Sequence, residues 1–87
     1  MIELRFHHEL YDGFAVDEAV KVYGRFALME QVREPLGFVV RLRASEAAKA
    51  RGLGDEAIAA ELMNYALGKT IERHLSGEVE EGRGALP

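Results

Sequence analysis

The chain contains no cysteine, which excludes disulfides, thiolate catalysis and thiolate metal sites. It also lacks an excess of basic residues, because eleven Lys and Arg are set against fifteen Asp and Glu, for a net charge of -4. A general nucleic-acid binder needs a basic face to displace phosphate counterions, and an anionic membrane surface attracts cations for the same reason. Both classes of partner are therefore disfavoured.

No apolar run approaches the roughly 18–20 residues that span a bilayer, so we expect a cytoplasmic protein without a membrane anchor. The composition is otherwise that of a globular protein, with 48% hydrophobic and 30% charged residues. A chain of 87 residues suits one domain and has little room for an enclosed active site. We predict a single α+β domain over residues 1–76 and a flexible acidic, glycine-containing tail over residues 77–87.

The first two predicted elements are a strand and a helix. Apolar and polar residues alternate from Ile2 to His7, which is typical of a strand with one buried face. A turn at Asp12 and Gly13 then precedes helical spacing over Ala15–Tyr23.

Residues 24–44 have two interpretations. Alternation over residues 27–32, a turn at Glu34–Gly37 and renewed alternation over Phe38–Arg43 favour a hairpin of two strands. The alternative is a first helix that continues to Val32 and is followed by a single strand, because Met, Leu, Glu and Gln are good helix formers. We prefer the hairpin.

The longest helical pattern runs from Gly54 to Leu75, after a short helical turn predicted over Ser45–Leu53. We expect Asp55 to be its N-cap. One arc of this helix should lie against the sheet, and it carries Ala59, Leu62, Met63, Ala66, Leu67, Thr70 and Ile71. The order of elements is then β-α-β-β-α, with a three-stranded mixed or antiparallel sheet and two helices packed on one face.

None of the candidate reactive residues has the spacing of a catalytic or metal site. His7 and His8 are consecutive on the predicted strand and should point to opposite faces, and His74 lies near the end of the last helix. Ser45 and Ser76 have no nucleophile-elbow motif around them, and no glycine-rich phosphate loop follows a strand. We therefore predict a protein that is not an enzyme and that uses no metal and no cofactor.

The side of the long helix that faces away from the apolar arc is the best candidate for a partner-binding surface. It carries Glu61, Asn64, Tyr65, Gly68 and Glu72. A tyrosine with a glycine one turn away forms a knob beside a shallow depression, and tyrosine is enriched at interfaces because it combines a large, stiff contact area with a hydroxyl. The alternative is that the tyrosine lies flat on its own helix beside a lysine.

Three segments carry a resemblance to a known family: Tyr11–Tyr23 at the first helix, Phe26–Leu42 through the hairpin, and Glu61–Leu67 in the last helix. The family's helix pattern is similar to Leu-Leu-Asn-Asp-Tyr-x-Leu-Arg-Glu. This chain matches it at Leu62, conservatively at Met63, and at Asn64, with Lys69 in place of arginine, whereas Tyr65 and Leu67 fit if one position is skipped. The chain thus resembles the small D-type component of the bacterial His-Xaa-Ser peptide-modification systems. The resemblance implies an accessory protein that associates with radical-SAM maturases acting on a small peptide, without catalytic residues of its own.

We therefore predict a noncatalytic protein- or peptide-binding accessory module, whose partner under this resemblance is a radical-SAM maturase or its peptide substrate. One alternative is a self-assembling structural protein, a homodimer formed through the same helix face or a strand edge. Another is a weak nucleic-acid-binding protein that uses Arg5, Arg41 and Arg43, although no exposed aromatic residues interleave with these arginines as base stacking requires.

Overall fold

The computed structural model describes residues 1–77. The elements are β1 (Ile2–His7), α1 (Gly13–Tyr23), β2 (Ala27–Glu34), β3 (Gly37–Ala44), α2 (Glu46–Ala50) and α3 (Asp55–Leu75). The predicted α+β class is confirmed, and the expected helical turn before the long helix is the short helix α2. Apart from Gly77, the tail predicted over residues 77–87 lies outside the described residues.

The three strands form one antiparallel sheet in the order β1-β3-β2. Because β1 and β2 both run antiparallel to β3, they are parallel to each other and are joined through α1, as in a split β-α-β unit. The hairpin prediction is confirmed, with Glu34 paired to Gly37 across a two-residue turn. A helix continuing to Val32 is wrong, because pairing with β3 overrides the helix propensity of this segment.

Both long helices cover the same face of the sheet. Val40 and Leu42 of the central strand are fully buried beneath them, as is Phe6 of β1. The helices contribute Val16 and Ala19 from α1, and Ile58, Ala59, Leu62 and Ala66 from α3. The opposite face of the sheet has no helix against it within residues 1–77 and carries most of the charged side chains of the strands.

The buried side of α3 includes Ala59, Leu62, Ala66 and Thr70 as expected, but it differs from the expected arc at two positions. Leu67 and Ile71, which we expected to lie against the sheet, are 43% and 51% exposed. The expectation is wrong for these two residues because α1 packs against one flank of α3, so the buried arc is shifted towards α1. The buried positions of α3 are Ile58, Ala59, Leu62, Ala66 and Thr70.

A polar contact holds the N-terminal end of α3. We expected Asp55 to be the N-cap, but Gly54 takes that position without a side-chain hydrogen bond, and Asp55 is the first helical residue. The Asp55 carboxylate instead accepts a hydrogen bond of 2.7 Å from the Ala44 amide and lies 3.0 Å from the terminal amino group of Met1. These contacts lower the pKa of Asp55, with the Ala44 hydrogen bond as the larger cause.

A second polar contact holds the C-terminal half of α3 against the start of α1. Asp12 caps α1 by accepting a hydrogen bond from the Ala15 amide, and the same carboxylate pairs with Arg73 of α3. The Asp12 amide also donates to the Thr70 hydroxyl at 3.0 Å, and that hydroxyl donates to the Ala66 carbonyl. The rotation of α3 is therefore fixed near both of its ends.

Candidate contact surface on α3

Tyr65 lies at the packing interface between α1 and α3. We expected it to project away from the core, but it is half-buried, and its ring meets that of Tyr23 edge-on, with centroids 5.9 Å apart and ring planes at 81°. Edge-to-face pairs of this kind are favourable because the positive edge of one ring faces the negative face of the other. Tyr65 therefore has a packing role, and part of its ring remains open to solvent.

Glu61 is tied to the same aromatic pair. The Glu61 carboxylate lies close enough to the Tyr23 hydroxyl to influence its ionisation. Burial raises the pKa of Tyr23, and the negative charge of Glu61 raises it further. Tyr23 thus stays protonated at neutral pH, and the exposed Glu61 lies near the boundary between the two helices.

Four of the five predicted partner-binding residues meet in one shallow depression, which we call the α3 depression. Its volume is about 250 Å³, and it is lined by Asn64, Tyr65, Gly68, Lys69 and Glu72. The fifth residue, Glu61, lies near Tyr23 and is absent from this lining. Lys69 was not among our candidates, although its position one turn after Tyr65 on the same helix is visible in the sequence.

Gly68 leaves the middle of the α3 depression open. A Cβ atom at this position would meet no heavy atom within 4 Å, so the packing of residues 1–77 does not require a glycine here. A glycine inside a helix costs about 1 kcal/mol relative to alanine. The chain thus carries a destabilising residue whose structural consequence is open space between the neighbouring side chains.

The rim of the depression carries one cation and one anion. Lys69 lies 3.2 Å from the Glu72 carboxylate, and this hydrogen bond, followed by the charge of Glu72, raises the pKa of Lys69. Both groups reach into solvent. Because an exposed ion pair of this kind is weak, Lys69 and Glu72 can exchange it for contacts with a ligand that offers both hydrogen-bond acceptors and donors, such as a peptide backbone.

The opposite flank of α3 is apolar, and its exposed residues lack a helix or strand against them within residues 1–77. We call it the apolar flank, and it consists of Ala60, Leu67 and Ile71, bordered by Met63, which is partly buried against the core. The sequence did not reveal it as a surface, because a regular apolar spacing on a helix is the ordinary sign of a core position.

The open face of the sheet does not present a basic patch. Arg5 pairs with Glu34 at 3.0 Å and with Glu3 at 3.3 Å, and Arg41 pairs with Glu30 at 3.4 Å. A contact of 3.9 Å between Arg41 and Glu3 joins these pairs into one network. Of the three arginines that we considered for nucleic acid, Arg43 alone has no ion pair within the described part of the chain.

The two consecutive histidines are side by side. β1 ends at His7, so His8 begins the following turn and its ring stacks on that of His7 at 5.3 Å. The expectation that the two rings point to opposite faces is wrong, because the strand alternation stops between them. Within residues 1–77, no group of three or more His, Cys, Asp or Glu side chains is arranged to hold a metal ion.

Larger cavities lie near the hairpin end of the sheet, of about 360 Å³ and 480 Å³. The larger one is lined in part by Asp12 and Thr70. Their polar groups are already bonded to each other and to Arg73, Ala15 and Ala66, so these groups serve the packing of α1 on α3. We place the candidate site at the α3 depression, because four of the five predicted partner-binding residues meet there.

Comparison of the chain with protein-family models, with curated proteins and with solved structures finds no match. The resemblance to the D-type component of His-Xaa-Ser systems stays a prediction. No helix within residues 1–77 is long and apolar enough to cross a membrane.

Proposed function

We propose that this protein is a noncatalytic module of the cytoplasm that binds a protein or peptide segment at the α3 depression. The observation that carries the proposal is Gly68, which weakens α3 without being required by its packing and keeps the depression open. Residues that lower stability without a packing reason are expected at functional sites, where natural sequences depart from local rules.

The size of the depression favours a peptide over a small-molecule substrate. Small-molecule sites are usually clefts of about 300–1,000 Å³ that enclose most of their ligand. The α3 depression has a volume of about 250 Å³ and lies open on the side of a helix. It therefore suits one side chain of a longer segment, with the exposed part of the Tyr65 ring as the apolar contact.

The polar lining suits the backbone of such a segment. The Asn64 side chain offers both a donor and acceptors, Lys69 offers donors and Glu72 offers acceptors. All three lie around the depression. The family resemblance supplies two specific candidates for the partner, a radical-SAM maturase and the His-Xaa-Ser peptide that it modifies.

The experiment is calorimetric titration of the full chain with each candidate, namely a purified radical-SAM maturase and a synthetic peptide that carries a His-Xaa-Ser repeat. The wild-type chain should bind at least one of them. Gly68→Ala, which places a methyl group inside the depression, should weaken binding about tenfold or more, a loss of about 1.4 kcal/mol. Leu67→Ala, on the other side of the same helix, is the matched control and should bind as the wild type does.

Two results would contradict the proposal. If the wild type, Gly68→Ala and Tyr65→Ala bind equally well, the depression is not the binding site. If neither probe binds, the partners that the family resemblance implies are excluded.

The nucleic-acid alternative receives less support from the structure. Arg5 and Arg41 are ion-paired on the open face of the sheet, and the acids Glu3, Glu30 and Glu34 lie among them. A phosphate backbone approaching this face would meet three carboxylates alongside the arginines, which opposes the counterion release that drives such binding.

A further inference from the structure

The edge of the sheet at β1 has free backbone groups. The His8 amide donates to the Leu36 carbonyl at 2.9 Å, which fixes the direction of the strand's hydrogen bonds. Because backbone groups alternate in direction along a strand, Phe6 and Leu4 also face β3, whereas Glu3 and Arg5 direct their amides and carbonyls away from the sheet. No strand lies beyond β1 within residues 1–77. An unpaired edge of this kind is a template for another strand.

The side chains of β1 are complementary to a second, antiparallel copy of β1. If the two-fold axis passes through Leu4, Glu3 of each copy lies opposite Arg5 of the other, and two opposite-charge pairs form on the open face. On the helix face, Leu4 meets Leu4 and Ile2 meets Phe6. Registers centred on Glu3 or on Arg5 instead place like charges directly opposite each other, which is destabilising. Among the registers centred on Glu3, Leu4 or Arg5, the one through Leu4 is therefore favoured.

The other edge strand offers no such match. On the open face of the sheet, β2 carries Leu28, Glu30, Val32 and Glu34. These side chains include two acids and no base, so no symmetric pairing of β2 with itself forms opposite-charge pairs on that face. The complementarity is therefore a property of β1 and not of edge strands in this chain generally.

The position of α3 agrees with pairing at β1. α3 packs over both β1 and β3. Neighbouring strands lie about 4.8 Å apart. A helix centred above the line midway between β1 and β3 is therefore about 5 Å, measured parallel to the sheet, from a two-fold axis that lies midway between β1 and its copy. Two copies of α3 would then be about 10 Å apart, which is the usual distance between packed helices.

The apolar flank of α3 faces this dyad. Tyr65, on the other flank, packs against Tyr23 of α1. Gln31 of β2 donates a hydrogen bond of 2.8 Å to Asp17 of α1, and β2 is the edge strand opposite β1, so α1 lies on the side of α3 away from β1. Thr70 and His74 of α3 border a cavity that is also lined by Tyr11, which lies in the turn that follows β1. The side of α3 that carries these two residues is therefore the side nearest to β1. Leu67 and Ile71 therefore project above the β1 edge, where the α3 helix of a second copy would cover them.

We propose that a second copy of this chain pairs antiparallel with β1 through a two-fold axis at Leu4, forming a six-stranded sheet with the two α3 helices packed across the axis. Glu3 and Arg5 select the register, and the apolar flank is buried. The α3 depression lies on the other flank of each helix and stays open, so the dimer does not depend on the proposed binding function.

The first test is disulfide cross-linking, for which the absence of native cysteine leaves every introduced thiol unique. Residues on the axis form a non-hydrogen-bonded pair with Cα atoms about 4.5 Å apart, within the range for a disulfide. Under mild oxidation Leu4→Cys should give a dimer of about 19 kDa, twice the 9.7 kDa of one chain. Glu3→Cys and Arg5→Cys test the registers centred on residues 3 and 5 and should cross-link poorly. Val32→Cys, on β2 at the other edge of the sheet, is the control and should also cross-link poorly.

The second test is a charge exchange followed by sedimentation. The wild type should be a dimer, and Glu3→Arg alone or Arg5→Glu alone should weaken dimerisation about tenfold or more, because each places like charges opposite. An equimolar mixture of the two variants should recover the dimer, since every cross-strand pair is then of opposite charge. Arg43→Glu makes the same change of charge on the central strand and should remain dimeric, and circular dichroism verifies that each variant is folded.

A wild-type chain that is monomeric at high micromolar concentration, and whose Leu4→Cys variant does not cross-link, would overturn the proposal and leave the edge to a strand of an unlike protein. So would a dimer that forms equally well in the wild type, in both single variants and in their mixture. Efficient cross-linking at position 3 or 5 instead of position 4 would overturn the proposed register.

Discussion

On the flank of α3 that faces α1, Tyr65 packs edge-on against Tyr23, whereas on the opposite flank Leu67 and Ile71 remain 43% and 51% exposed. By hydrophobicity alone these roles would be reversed, since leucine and isoleucine are more often buried than tyrosine. The difference arises because α1 covers one flank and nothing within residues 1–77 covers the other. An amphipathic pattern thus shows that a helix has an apolar side, while the neighbouring elements decide which side chains that side buries.

The largest effect should come from truncating leucines on the two sides of α3. Leu62 is fully buried, so Leu62→Ala should lower the free energy of unfolding by about 2–5 kcal/mol through lost burial and a cavity. Leu67→Ala, the same change one and a half turns away, should cost less than about 1 kcal/mol in the monomer. Urea denaturation of a dilute sample compares the two, and equal losses would show that the flanks are not distinct.

The next effect concerns the aromatic contact on the covered flank. In a double-mutant cycle of Tyr23→Leu and Tyr65→Leu, the coupling energy should be about 0.5–1.5 kcal/mol, as for other edge-to-face pairs. The cycle is read from the free energies of unfolding of the two single variants and the double variant. Additive single effects would mean that the two rings do not interact in solution.

Gly68→Ala should change stability in the opposite direction. Because a Cβ at this position meets no heavy atom within 4 Å, the variant gains the helix propensity of alanine without a clash. The free energy of unfolding should rise by about 1 kcal/mol, measurable as an increase in Tm. Lower stability would show that the depression is occupied in the folded chain, contrary to the open geometry described above.

The smallest effect is a pH dependence at the N-terminal end of α3. The pKa of Asp55 is lowered in the folded state, so its ionised form contributes stability above the ordinary carboxylate pKa, and this contribution is lost as the pH falls through the folded-state pKa. The difference in Tm between the wild type and Asp55→Asn should therefore be largest near pH 6 and shrink as the pH is lowered below the ordinary carboxylate pKa. A difference that does not change with pH would contradict the contacts with Ala44 and the terminal amino group.

Local sequence patterns were sufficient for the strands and the hairpin. The alternation over Ile2–His7 and the turn at Glu34–Gly37 each depend on residues that are close together in the sequence, and both predictions are confirmed. Helical spacing also placed Ala59, Leu62, Ala66 and Thr70 of α3 correctly in its buried arc. The exposure of Leu67 and Ile71 could not be predicted in this way, because it depends on α1, which is distant in the chain. The role of Asp55 was missed for the same reason, since its hydrogen-bond donor is in β3.

Much of the candidate site was within reach of the sequence. Asn64, Tyr65, Gly68 and Glu72 share one helix, so helical spacing alone places them together. The role of Tyr23 was not within reach, because that residue lies on α1 and meets Tyr65 and Glu61 through the packing of the two helices. A sequence pattern thus located the depression but not the aromatic support beside it.

The most direct measurement of the central claim, that the two flanks of α3 have different partners, is an NMR titration of the ¹⁵N- and ¹³C-labelled chain with the His-Xaa-Ser peptide. Amide shifts should change at Asn64, Tyr65, Gly68 and Lys69, whereas the side-chain methyl shifts of Leu67 and Ile71 and the amide shifts of β1 should stay unchanged. Changes centred on Leu67, Ile71 or β1, or no changes at saturating peptide, would contradict the account.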